Sequence, residues 1–142
     1  MSRSRMIRLY ALSRTIKLNE IRREIARLQD EIARIDQRLD QVAMLEKGYR
    51  DHLRLPELSM VEYRGAVDIV ARLRGRRDVD ANRRELLEVE RVRIAGMIAE
   101  RKRSIEKLEE EERRARAEER ARAEEVREAL APARPVGRHE LC

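Results

Sequence analysis

The residue types that most often carry chemistry are sparse here and scattered. The two histidines, His52 and His139, stand far apart, and neither has a Cys or second His at metal-ligand spacing. Both read as solvent-exposed side chains. The single cysteine, Cys142, has no internal disulfide partner, so nothing indicates an oxidising compartment. The five glycines, at 48, 65, 75, 96 and 137, occur singly and form no phosphate-cradling loop. Carboxylates are plentiful, but they alternate with arginines as they do on solvated helix faces. Catalysis needs a partly dry, concave site with converging polar groups, and nothing in the pattern builds one. The expectation is a non-enzymatic chain with no catalytic, cofactor-binding or metal-ligating residue.

The elements that must hold whatever function remains are helices. Of 142 residues, 44% are charged and only 2% aromatic, with no Trp or Phe, so a rounded core built on aromatics is excluded. Long helices with a narrow apolar seam fit that composition. From Leu18 to Val42 the seam is regular: Leu18, Ile25, Ile32 and Leu39 fill one heptad position, and Ile21, Leu28, Ile35 and Val42 the other. Asp30–Arg34 adds an i,i+4 pair. Upstream, Ile7, Leu12 and Ile16 extend an apolar face less regularly. Helix 1 is predicted over about residues 4–47, ended by Gly48, with a turn over about 48–58 that contains Pro56 and His52.

Ser59-Met60-Val61-Glu62 reads as a capping box, with Leu58 and Tyr63 at the staple positions around it, so helix 2 begins near residue 60. Its stripe runs Tyr63, Ala66, Val70 and Leu73, then meets Arg77, Asp80 and Arg84 with Gly75 nearby. It resumes at Leu87, Ile94, Ile98, Ile105 and Leu108, interrupted by Arg91 and Arg101. Residues 74–85 are either a polar stretch of one long helix or a break, and continuity is favoured because Gly75 alone costs about 1 kcal/mol. Beyond Glu109 the stripe fades. The pairs Glu109–Arg113, Glu110–Arg114, Glu112–Arg116 and Glu118–Arg122 support a solvated helix to about residue 131, before a mobile tail over 132–142. The fold class is all-α: an antiparallel two-helix coiled-coil hairpin. Residues beyond about 108 are expected to overhang without an intrachain partner.

A net charge of +6 suits an acidic protein surface, nucleic acid or anionic lipid and selects none of them. The one-signed block is Arg3, Arg5, Arg8, Arg14 and Lys17, which also breaks the apolar run a signal peptide needs. Alternating charge signs and the lack of stacking aromatics argue against specific nucleic-acid binding. No apolar run reaches the ~18 residues of a membrane span. A cytoplasmic monomer or weak oligomer is the expectation.

Leu45-Glu46-Lys47-Gly48-Tyr49-Arg50-Asp51-His52-Leu53 resembles the Tyr-Arg-x-x-Leu segment that closes the first helix in the flagellar FliJ family, small coiled-coil proteins of type III export related to the YscO group. The spacing Tyr63, Ala66, Val67, Val70, Leu73 is similar to that family's second-helix opening. The resemblance implies a stalk and chaperone-escort role in flagellum biogenesis. Its partners would be the hexameric export ATPase, the export gate membrane protein and export chaperones, at the inner membrane. It assigns gate contact to Ala66, Val70, Leu73 and Arg77, with Ala66 standing where the family often has a large aromatic. It assigns ring contact to Arg3, Arg5, Arg8, Arg14, Arg101, Arg113 and Arg116. Two other classes fit the residues alone: a generic coiled-coil adaptor or oligomeric scaffold, and a basic binder of nucleic acid or anionic membrane through residues 1–17. Val70 and Leu73 also fit a plain seam with helix 1.

Overall fold

A computed structural model describes residues 2–132, and it is all-helical over that range apart from one turn and the chain ends. Helix α1 spans Arg3–Leu53 and helix α2 spans Met60–Leu130. The two pack against each other antiparallel, so the expected hairpin is the fold. No helix among the described residues is long and apolar enough to cross a membrane. The chain divides into two compact units, one formed by Lys17–Glu100 and the other by the described parts of Met1–Ile16 and Arg101–Cys142.

In the Lys17–Glu100 unit all eight predicted seam positions of α1 are buried or half-buried, with Ile35 at 0% exposure. The same three-four stepping carries on through Glu46, Tyr49 and Leu53, each at least half-buried. That continuation explains why Gly48 does not end the helix, as the sequence led us to expect. Gly48 faces open space with ordinary backbone geometry, and its cost of about 1 kcal/mol is outweighed by seating Tyr49 and Leu53 in the seam. Termination comes instead at Leu53, where Pro56 disfavours helix at Leu55. The last turn closes with tighter bonds, the Arg54 amide donating to Asp51 O at 3.2 Å and the Leu55 amide to His52 O at 3.1 Å. His52 therefore lies in the last turn of α1, and the connection is residues 54–59.

α2 opens at the predicted cap. The Ser59 hydroxyl accepts from the Glu62 amide at 3.1 Å, and the Tyr63 amide donates to Ser59 O at 2.9 Å. Residues 74–85 are helix without a break. Ala66, Val70 and Ile94 are buried and Leu73 and Leu87 half-buried, on a stripe that steps by fours and threes throughout.

In the other unit the start of α1 lies along α2. The Ser4 amide donates to Glu119 Oε1 at 3.1 Å, and the Ser4 hydroxyl to Glu119 Oε2 at 2.7 Å. Ala11, Ile105 and Ala115 are buried and form the core here. The expected overhang from residue 109 is thus mostly paired. Helix α1 is longer than predicted and the turn shorter, which moves the antiparallel register toward the C-terminus. Within late α2, residues 120–130 are exposed at every position. The predicted tail after Pro132 lies outside the described residues.

Candidate functional site

The charged side chains on the stripes make the most specific arrangement in the Lys17–Glu100 unit. Glu46 occupies a heptad position of α1 and is only 5% exposed. Arg74 Nε donates to its Oε1 at 2.9 Å, Arg77 Nη1 to its Oε2 at 3.4 Å, and Arg50 reaches it from the next turn. The Arg74 hydrogen bond, against the opposing effect of burial, and then Arg50 and Arg77 hold this carboxylate below its ordinary range. Asp80, 2% exposed on α2, lies 3.6 Å from Arg38 and 3.4 Å from Arg76. Arg84 pairs with Asp36, and Arg83 with Glu31. The apparent polar gap of helix 2 is therefore a ladder in which Arg77, Asp80 and Arg84 each meet an opposite charge on α1. Such polar seam positions specify register at some cost in stability.

Guanidinium groups keep their protons. Glu46 is held as the anion, and so is Glu88 by the hydrogen bond from Arg91. A groove at the ladder, lined by Arg27, Asp30, Glu31, Arg34, Arg38 and Asp80, carries both signs of charge. No group of His, Cys, Asp and Glu suited to a metal ion occurs among the described residues. His52 is exposed beside Leu55, Pro56 and Leu58. His139 and Cys142 lie outside the described residues.

The four residues matched to the gate stripe all sit on the seam. Ala66 and Val70 are buried on α1, Leu73 is half-buried, and Arg77 is drawn onto Glu46. Met60, Val61, Tyr63 and Val67 are the exposed apolar side chains of that stretch.

All seven arginines matched to the ring contact fall in the unit that joins the start of α1 to late α2. Arg3, Arg5, Arg8 and Arg113 are exposed. Arg14 lies over Tyr10, its guanidinium carbon 5.0 Å from the ring centroid and its Nε 3.1 Å from the phenol oxygen. Arg101 occupies a half-buried stripe position, and Arg116 pairs with Glu112. Of the four acid–base pairs expected after residue 108, Glu110–Arg114 at 2.7 Å and Glu112–Arg116 form.

The contact missed from the sequence is Ser4 with Glu119. Helix α1 has no acidic residue in its first turn, so Glu119 supplies from α2 the negative charge that a helix N-terminus favours. Both Ser4 bonds lower the Glu119 pKa, the side-chain bond first. Counting the heptad back from Leu18 through Arg14, Ala11 and Ile7 arrives at Ser4, and counting α2 forward from Leu108 through Glu112 and Ala115 arrives at Glu119. That register was the available signal. No family model matches this chain, and no curated protein or solved structure matches it either.

Proposed function

We propose that the chain is a non-enzymatic stalk and chaperone-escort component of the flagellar type III export apparatus. In this reading it engages the hexameric export ATPase ring and couples it to the export gate. The observation that supports it most is the unit in which the start of α1 and late α2 lie side by side, tied by Ser4 and Glu119. Paired helix ends are what the resemblance requires for insertion in a ring. The seven arginines it assigns to the ring are gathered in that unit. Exposed ion pairs are each worth only about 0–1 kcal/mol, which suits contacts that must be remade as a ring turns over. Because Ala66 and Val70 are buried on α1, the gate contact falls to the exposed Tyr63 and Val67 beside them.

The test is a pull-down with the flagellar export ATPase of the same organism, together with its ATPase rate. The intact chain should bind and change the rate, and Arg3→Ala, Arg5→Ala, Arg8→Ala and Arg113→Ala together should weaken both. No binding and no change in rate by the intact chain would refute the reading.

A coiled-coil adaptor or oligomeric scaffold is the second reading. It is favoured by Val79, Leu86, Val89 and Val92, which are exposed on α2 away from the seam. Mass that rises with concentration in sedimentation equilibrium would support it, and a constant monomer mass would sink it.

A further inference from the structure

The start of α1 carries apolar side chains on two faces, and the fold uses one of them. Ile7 and Ala11 turn toward α2, with Ser4 fixed on Glu119. Met6, Leu9 and Ile16 turn away, Leu12 stands at the border of the groove with Glu109 and Glu112, and all four are between 48% and 59% exposed. Their spacing of three and four residues makes one ridge about three turns long. Cations flank it, and no acidic residue precedes Glu20 in the sequence. Of the acidic side chains of α2, Glu119 is bonded to Ser4, and Glu109 and Glu112 line a groove with Arg8, Ala11, Leu12 and Thr15. The ring reading draws on arginines alone and gives the apolar ridge no role.

We propose that the outer face of α1 between Arg5 and Ile16 docks on an anionic lipid surface. Met6, Leu9, Leu12 and Ile16 enter the acyl boundary, and Arg5 and Arg8 reach the headgroup phosphates. A helix whose apolar ridge is bordered by basic residues lies in the plane of a bilayer interface. Its binding combines buried apolar area with attraction to anionic headgroups. A third helix is a poorer occupant, because coiled-coil pairing needs apolar positions sustained over three to four heptads. This ridge ends at Ile16, and the next positions on the same face are Glu20 and Arg23. The Ser4–Glu119 bonds and the Arg14–Tyr10 contact fix the helix start and leave the ridge outward. The inference stands apart from the ring reading, since a chain that never touched the ATPase would still bind vesicles.

The experiment is co-sedimentation of the full chain with vesicles of phosphatidylcholine alone and of phosphatidylcholine with phosphatidylglycerol. Binding is expected only with the anionic lipid, falling as salt is raised. Arg5→Glu with Arg8→Glu should weaken it by roughly tenfold or more. Leu9→Gln with Ile16→Gln should reduce it to the level of neutral vesicles with the helical content unchanged. Should that variant lose helix, hydrogen exchange of the intact chain decides the same question: amides of residues 5–16 should slow when anionic vesicles are added, and unchanged exchange there would overturn the proposal. Equal binding to both vesicle types would overturn it too. So would anionic binding that the Arg variant abolishes and the Leu9/Ile16 variant leaves intact, for the surface would then be a general polyanion site. Displacement by duplex RNA with no effect of the ridge variant would count against it in the same way.

Discussion

Asp80 occupies a stripe position where an apolar side chain would pack, and its two arginine partners are themselves well solvated, with Arg38 45% and Arg76 60% exposed. Removing the carboxylate therefore strands no buried cation. Asp80→Leu is expected to raise stability by about 1–4 kcal/mol, read as a higher urea midpoint at unchanged slope. A loss would show that the ladder holds the hairpin together rather than only setting its register. Glu46 differs, because three arginines converge on it. Its pKa is depressed in the folded chain, so its contribution is fully present above the ordinary carboxylate value of about 4.3 and is lost as pH falls through the lowered value. The melting temperature of the native chain should drop below about pH 4.3, and Glu46→Gln should start lower and flatten that acid limb. An unchanged limb in the variant would assign the acid sensitivity to other carboxylates. These partnerships were not legible in the sequence. Arg77, Asp80 and Arg84 resembled a break because spacing along one helix does not reveal what the other helix sets opposite.

Helix boundaries separate what local chemistry decides from what packing decides. The start of α2 was legible because Ser59 and Glu62 act within four residues of each other. Ser59→Ala should cost about 0.5–2 kcal/mol, measured by thermal or urea unfolding. The end of α1 was misplaced because glycine carries a local penalty that seam residues two turns long can override. Gly48 distinguishes the two accounts. Inside a continuous helix and facing open space, Gly48→Ala should stabilise by about 0.4–1 kcal/mol through the entropy of the unfolded chain. Were Gly48 a terminating residue with left-handed geometry, the same change would destabilise. The eight-residue seam from Leu18 to Val42 was read correctly, since a strict three-four repeat of branched side chains constrains which face is buried whatever the partner.

At the scale of the whole molecule, the extent of pairing depends on a sum of small local errors. Six residues added to the end of α1 and a turn of six instead of eleven residues shift the register toward the C-terminus, which is part of what sets Glu119 on Ser4 where an overhang was expected from residue 109. The class of fold was readable because heptads tolerate such shifts, whereas the candidate site at the helix ends was not, because it depends on register. Two truncations weigh the difference. Among the described residues, ending the chain after Arg120 removes only exposed positions, so its melting temperature should stay within the change expected from about 1 kcal/mol of surface pairing. Ending it after Leu108 also removes the buried Ala115 and both Glu119 bonds to Ser4, and should melt clearly lower, with faster amide exchange over residues 4–15. If both truncations melted alike, α1 would begin without support from α2, and the unit proposed for the ring would not form in solution.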